Sequence, residues 1–318
     1  MSTNPMPSIE QQTGALYGGL WPHYDDKLYL ESVALFEKRW KANNEPADFF
    51  RGKKCLDVGC GGGRYSIAMA TMGAQSVIGV DVGDEGIADA TRRAEQLKVP
   101  NVTFRSASAL QLPFADSEFD FVCCSGVLHH TTSVARGFSE IYRVLKPGGS
   151  LYLLLYGAGG VFWPLNYVMR AFAGLLGRDE MERCVVAAGF PANTRRSILD
   201  DLFVPVLETY PAERVDQLLR DAGFQNWRRW ASGQMDHEND ARTMLKELEK
   251  RTVLWEAGAE TATNAMAASV QRHVGTIGRS VIEAVRDLIA SEKAGTISAS
   301  QLRGAVIGHG HHRLIATK

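Results

Sequence analysis

The stretch Cys55-Leu56-Asp57-Val58-Gly59-Cys60-Gly61-Gly62-Gly63-Arg64 decides how the rest of this chain is read. An apolar run ending in an acid passes through glycines at 59, 61 and 63 into a helical pattern over 64–72. Positions without a side chain let a ligand lie against the backbone, and the first turn of the helix offers unpaired N–H groups to a carboxylate or phosphate. After it the run Ser76-Val77-Ile78-Gly79-Val80-Asp81 puts a second acid at a strand end, where a carboxylate can grip both hydroxyls of a ribose. A nucleoside-bearing cofactor is implied. The spacing D-x-G-x-G-x-G, with its acid before the first glycine, suits a ligand carrying an ammonium group better than the pyrophosphate served by G-x-G-x-x-G.

Outward from this loop, the β-rich runs KCLDV, SVIGVD, VTFR, FDFVCC and SLYLLLY alternate with helical patterns over 64–72, 85–97 and 133–145. That alternation predicts an α/β fold, a Rossmann-like, doubly wound and mostly parallel sheet with helices on both faces. An amphipathic helix is expected over 29–42, another over 212–222 ending at Gly223, and then a strand in FQNWRRWA. Two long helical patterns follow, 238–256 and 260–291. In the second, Met266, Val270, His273, Ile277, Val281, Val285 and Leu288 read as one apolar stripe that needs a partner surface. Ser298 and Gln301 form a capping box, and the closing HHRLIATK alternates like a strand that must pair with a sheet. The expected organisation is an N-terminal cap, 1–50, over the cofactor and a core over 51–233 with a substrate-side segment, 157–211. A helical insertion, 234–308, and a final core strand, 309–318, complete it.

The composition excludes some classes. Over 318 residues, 35 Lys and Arg stand against 36 Asp and Glu, leaving a net charge of −1. This is neither a disordered polyelectrolyte nor the electrostatic footprint of a nucleic-acid coat. Cysteines at 55, 60, 123, 124 and 184 lack C-x-x-C spacing, which predicts free thiols in a reducing cytoplasm and no metal. Residues 1–12, polar with two prolines, read as a floppy leader without a signal core. The uncharged stretch 151–169 is broken by Gly157, Gly159, Gly160 and Pro164 into a strand, a turn and a helix, so no membrane span is expected. The apolar segment 161–176 is expected to wall an acceptor pocket. His309, His311 and His312 read as a solvated strand end, and the pairs Arg195-Arg196 and Arg228-Arg229 as a solvated face.

In five ordered places the chain resembles the class I S-adenosylmethionine-dependent methyltransferases. LDVGCGGG is similar to that family's first motif and GVD to its second. Leu112-Pro113-Phe114 with Phe119-Asp120-Phe121-Val122, then Ser125-Gly126-Val127-Leu128-His129-His130, then Arg143-Val144-Leu145-Lys146-Pro147-Gly148-Gly149 complete the series. The resemblance implies that S-adenosyl-L-methionine is the cofactor, with Asp57, Gly59 and Gly61 along its methionine part, Asp81 on the ribose and Val82 against the adenine. Ser108 and Ala109 fall where the family carries an acid and a small residue near the adenine amine, so serine there is a departure; Ser125 lies at the same rim. Trp21 and Tyr24 are similar to the segment that folds over the cofactor in a subset of these enzymes, as are Asp201, Pro205 and Tyr210.

Methyl transfer requires alignment, exclusion of water and, for a protic acceptor, a base. His130 and His129, at the carboxyl end of the fourth strand, are the candidate bases, with Tyr24 and Tyr156 as further substrate-contacting candidates. The reading is an enzyme transferring methyl to a small-molecule acceptor, apolar or aromatic, with the 234–308 insertion as a homodimer surface. Two alternatives stay open: a nucleoside or tRNA methyltransferase, and a non-catalytic partner subunit with the same fold. A dehydrogenase is disfavoured by the loop spacing.

Overall fold

The computed structural model describes residues 7–19, 21, 24–231 and 240–318. Within them the β-rich runs become strands, and the order of those strands places the glycine loop at the centre of a sheet. β1 (Lys54–Val58) lies between β2 (Ser76–Asp81) and β4 (Phe119–Ser125), parallel to both, with Asp57 opposite Gly79 and Cys123. β3 (Val102–Ser106) adds beyond β2, and β5 (Leu145–Tyr156) beyond β4, again in parallel. The full order is β3-β2-β1-β4-β5-β7-β6, where β6 (Asn226–Arg229) pairs antiparallel with β7 (His311–Thr317). The chain therefore switches direction across the sheet next to β1, the crevice where open α/β sheets hold ligands.

The chain divides into two compact units. The first holds residues 1–156, 204–233 and 312–318 and contains the whole sheet apart from His311. Its helices are α1 (Ile9–Gly18), α2 (Asp26–Ala42), α3 (Arg64–Thr71), α4 (Asp84–Gln96), α5 (Val134–Val144) and α9 (Ala212–Ala222). One side of the sheet buries Leu56, Val58, Val122 and Leu153 with Phe138, Ile141, Leu218 and Leu219. The other buries Cys55, Val77, Phe121 and Tyr152 with Phe36, Trp40, Phe50 and Ile67. The alternation of neighbours such as Cys55 and Leu56 between the two clusters is the two-residue period of a strand buried on both faces.

The second unit, 157–203 with 234–311, is helical among the described residues: α6 (Phe162–Leu176), α7 (Arg178–Ala187), α8 (Ala192–Phe203), α10 (Ala241–Thr261), α11 (Ala265–Lys293) and α12 (Ala299–Val306). These units divide the chain at other places than the expected boundaries do. Residues 157–203 belong with the late helices because Leu165, Met169 and Met181 share a core with Leu248, Trp255 and Val274. The expected start of the insertion, Gln234, and the predicted helix start, Glu238, lie outside the described residues.

Two expectations are corrected. Residues 1–12 were expected to be a floppy leader, yet from Ile9 the chain is helical. Ser8 and Gln11 close a capping box, with Ser8 N–H donating to Gln11 Oε1 at 2.7 Å, so the local cap signal outweighs the prolines before it. The apolar stripe of α11 coincides only in part with its buried face: Val285 is buried and Val270, Val281 and Leu288 pack against the same core. Met266 and Ile277 are 52% and 41% exposed, whereas Ala267, Gln271, Val274, Gly275, Gly278 and Ile282 are buried alongside Val285. The reason is a close helix crossing. A Cβ added to Gly278 would lie 2.4 Å from Thr252 Oγ1, and one on Gly275 3.0 Å from Glu256 Cγ, so small residues select the face.

The helical unit also begins and ends at a backbone crossing. A Cβ at Gly157 would stand 1.5 Å from the Gly310 carbonyl oxygen, and one at Gly160 2.6 Å from the Val306 oxygen. Gly157→Ala is expected to destabilise the protein by about 3 kcal/mol, since neither backbone can move aside. Gly174→Ala, in an open position within α6, should be neutral or slightly stabilising. Thermal unfolding of both variants is the check, and equal midpoints would contradict the crossing.

Candidate active site

The glycine loop is fixed by the acid that follows it. Gly59 has φ +69° and donates its N–H to the Val80 carbonyl at 2.7 Å; Gly61 has φ +51° and donates to Asp81 Oδ2 at 2.9 Å. The other Asp81 oxygen accepts from Gly83 N–H at 2.8 Å, so one carboxylate ties the β1 loop to the β2 loop. Burial raises the Asp81 pKa, and these backbone donors oppose the shift. Val82 lies where the same turn meets α1: a Cβ at Gly14 would sit 2.7 Å from the Val82 oxygen.

Asp57 is buried behind the loop, with Ser66 Oγ donating to its Oδ2 at 2.6 Å. Burial pushes its carboxyl up to about 6, against the opposing hydrogen bonds of Ser66 and Cys123. Above the loop lies Trp21, whose ring atoms would be 2.5 Å from a Cβ at Gly61 and 3.0 Å from one at Gly62. The Arg64 guanidinium stands 4.4 Å over that indole, and Tyr24 packs beside it at 5.5 Å between centroids. Ser108 Oγ donates to Glu10 on α1 and accepts from Leu110 N–H at 3.0 Å, while Ala109 is buried beside it. The departure from the family's acid at 108 is thus accompanied by an acid supplied from α1.

At the end of β4, beyond Ser125, a short turn over Leu128–His130 carries the two histidines. His129 is fully buried and stacks on Tyr156 at 3.8 Å. His130 Nδ1 lies 2.9 Å from the Val206 carbonyl and Nε2 lies 3.1 Å from the Tyr17 hydroxyl. A carbonyl can only accept, so in the neutral ring Nδ1 carries the proton and Nε2 accepts from Tyr17 O–H. Trp21 and Tyr24 gather at the loop, and His130 gathers with Tyr17. Tyr17, Glu10 and Arg64 were missed in the sequence. The capping box that starts α1 was the available signal for the first two.

The remaining polar motifs are engaged elsewhere. Arg228 pairs with Glu45, Arg229 with Asp216 at 2.7 Å, and the Trp227 and Trp230 N–H groups donate to Asp216 and Glu45, each at 2.7 Å. His312 Nε2 is 2.7 Å from the Tyr210 carbonyl, and His311 faces Trp163 at 6.4 Å. Among the described residues no cluster of His, Cys, Asp or Glu is disposed to hold a metal, and no helix is long and apolar enough to cross a membrane.

A parallel sheet with a glycine turn at its switch point and an acid closing the next strand defines a nucleoside-cofactor protein. Comparison with known proteins narrows this. A methyltransferase-domain family model matches residues 56–153. The chain is 30% identical over 229 residues to the demethylmenaquinone methyltransferase of Symbiobacterium thermophilum, covering 68% of this chain and 85% of that one. It is 33% identical over 242 residues to the ubiquinone biosynthesis O-methyltransferase of Psychrobacter arcticus, covering 67% and 92%. Among solved structures, the cyclase SpnF shares the fold at a TM-score of 0.53 and 21% identity, over 100% of this chain and 99% of that chain. A phosphoethanolamine-type N-methyltransferase of Haemonchus contortus, solved with phosphomonomethylethanolamine and S-adenosylhomocysteine, also has a TM-score of 0.53, at 17% identity over 99% and 61%. The chain belongs to the class I S-adenosyl-L-methionine-dependent methyltransferases, enzymes whose cofactor is S-adenosyl-L-methionine.

The residues present fit that cofactor: a buried acid at the end of β2, a backbone cradle bare of side chains, and a buried Trp21 Nε1 donor with no hydrogen-bond partner among the described residues. Asp81→Ala is expected to weaken S-adenosylmethionine binding at least about tenfold by calorimetry while circular dichroism stays native, because a buried carboxylate acceptor is worth about 1.5–3 kcal/mol. Unchanged affinity would remove Asp81 from the site.

Asp57 gives a separate expectation. Its folded pKa is raised, so between about pH 4 and 6 the folded protein keeps a proton that the unfolded chain has released. Stability from this residue therefore falls as pH rises through that window, by about 3 kcal/mol in all. Asp57→Asn, neutral throughout, should unfold at a higher temperature than wild type at pH 7.5 and lose that advantage at pH 4.5, measured without cofactor.

Proposed function

We propose that this enzyme methylates a hydroxyl oxygen of an apolar small molecule, with His130 as the base that takes the hydroxyl proton. The observation that carries the reading is the polarised imidazole: Val206 fixes the proton on Nδ1 and leaves the Nε2 lone pair facing the Tyr17 hydroxyl. Bound S-adenosyl-L-methionine supplies a methyl group already activated on a sulfonium. Asp81 and the Gly59–Gly61 turn would hold its ribose and methionine ends, with Trp21 and Tyr24 closing over them. Asp57, buried against Ser66, would act on that turn from behind. Val82 and Ala109 would border the adenine, with Ser108 and Glu10 beside it, and Ser125 the strand end.

As the oxygen takes the methyl group, its proton passes to His130 Nε2, directly or through Tyr17, whose O–H already points at that nitrogen. His129 would hold the pocket wall through its stack on Tyr156 rather than take a proton. An apolar oxygenated acceptor is supported by the relatives named for demethylmenaquinone and ubiquinone, and by one named for 27-O-demethylrifamycin SV from Amycolatopsis mediterranei, 34% identical over 142 residues. A cytoplasmic setting is supported by five buried cysteines, all free. The acid-paired arginines of β6 give no support to the nucleic-acid alternative.

Screening 27-O-demethylrifamycin SV and apolar phenols and hydroquinones with labelled methyl donor tests the class. With an active acceptor, His130→Ala is expected to slow single-turnover transfer by about 100-fold or more and flatten the acidic limb of its pH profile, with Tyr17→Phe slowing it less. A rate and profile that survive His130→Ala would sink the assignment.

A further inference from the structure

The glycine turn carries a cation that the sheet unit leaves without an ion-pair partner. Arg64 opens α3 directly after Gly63, and among the described residues its guanidinium makes neither a hydrogen bond nor a salt bridge. What holds it is aromatic: the group stands 4.4 Å from the Trp21 ring centroid, 6.0 Å from that of Tyr24 and 5.9 Å from that of Tyr65. Ring faces fix a guanidinium in place without consuming its N–H donors. Two arginines nearby are already spent. Arg93 donates to Asp89 at 2.9 Å, to Asp26 at 3.3 Å and to the Tyr24 carbonyl, and Arg39 donates to the Tyr65 hydroxyl.

Trp21 brings a second open donor to the same place. Its Nε1 is buried with no hydrogen-bond partner among the described residues, and it lies 2.5 Å from where a Cβ at Gly61 would stand. A buried N–H left unmet is uncommon in native proteins and asks for an acceptor. The acids of the loop do not supply it. Asp57 feels the charge of Arg64, but its carboxyl accepts from Ser66, and the two Asp81 oxygens accept from Gly61 and Gly83. A guanidinium and an indole N–H are donors only, so the group that meets both is an acceptor, and beside an unpaired cation an anion is favoured. Gly63 gives α3 no side-chain cap, and the positive end of the helix dipole favours the same sign.

S-adenosylmethionine has one anionic group, the carboxylate of its amino-acid end. We propose that Arg64 and the Nε1 of Trp21 hold that carboxylate, which makes this pair the element that selects the full cofactor over its decarboxylated form. The inference rests on the cofactor reading of the loop and adds to it a partner for the anionic group. Tyr24 and Tyr65 are positioning residues in this arrangement, since they keep the guanidinium against the indole.

The test is calorimetric titration of the full-length protein with S-adenosylhomocysteine and with its decarboxylated analogue, which keeps the ammonium on the same chain and lacks only the carboxylate. Wild type is expected to bind S-adenosylhomocysteine at least about tenfold tighter than the analogue, as a charge-assisted contact implies. Arg64→Gln should cut that preference to about threefold or less by weakening S-adenosylhomocysteine alone, and Arg64→Lys should keep part of it. Trp21→Phe, which retains a ring on Gly61 and removes the N–H, should lower the preference without abolishing it. A merely structural Arg64 would weaken both ligands equally. That result, equal binding of the two ligands by wild type, or a preference that survives Arg64→Gln overturns the proposal. If wild type binds neither ligand, the cofactor reading fails and this pair with it; S-adenosylhomocysteine bound without the preference fails the pair alone.

Discussion

One buried carboxylate organises the cofactor end of this protein. Asp81 closes β2 and accepts from Gly61 on one oxygen and Gly83 on the other, so the turns after β1 and β2 cannot move independently. The consequence spreads outward. Gly61, held at positive φ, presents bare backbone to Trp21, and the Val82–Gly83 turn presents bare backbone to α1. The two main-chain donors give each oxygen of this buried acid a partner and oppose the rise in pKa that burial causes.

The N-terminal cap depends on that arrangement. Gly14 and Gly18 are one turn apart on α1 and touch Val82–Gly83 and Glu85–Gly86 respectively. Two glycines in ten residues cost the helix about 1 kcal/mol each, so α1 owes its order to docking and to the Ser8–Gln11 box rather than to propensity. Docking in turn delivers Tyr17 to His130 and Glu10 to Ser108. Cofactor turn, cap and candidate base are thus one mechanically continuous set of contacts within the sheet unit.

How much of this is legible in the sequence follows from range. The strand ends bearing Asp57 and Asp81, the glycine turn and the paired terminal strand are read from a few neighbouring residues, and the structure has each of those elements. Tyr17 and His130 are separated by more than a hundred positions, and only the sheet order and α1 docking bring them together. The α11 stripe holds at Val270, Val281, Val285 and Leu288 and fails at Met266 and Ile277 for a physical reason. Hydrophobic period finds the face with the largest side chains, but a close crossing buries the face with the smallest, so Gly275 and Gly278 face α10 while Met266 and Ile277 look outward. Nor does any local signal assign 157–203 to the later helices; that partition exists only in the shared core of Met169, Trp255 and Val274.

The helical unit obeys a different economy from the sheet. In the sheet unit, Asp57 meets Ser66 and Asp81 meets two backbone donors, so the buried carboxylates beside the glycine loop come with partners. In the helical unit Glu180 is likewise met, by Arg183, Thr263 and Gln271, which holds its carboxyl at about 2. Asn166 and Trp255, in the same core, are not. A unit that satisfies one buried acid through three partners and leaves a neutral amide bare is not short of polar side chains to supply. Among the described residues these bare neutral groups lie on α6, α10 and α11, where Gln271 donates its amide N–H to Glu180 and leaves its Oε1 unmet, so the packing of this core gathers its polar partners around the buried charge of Glu180 rather than around the neutral groups.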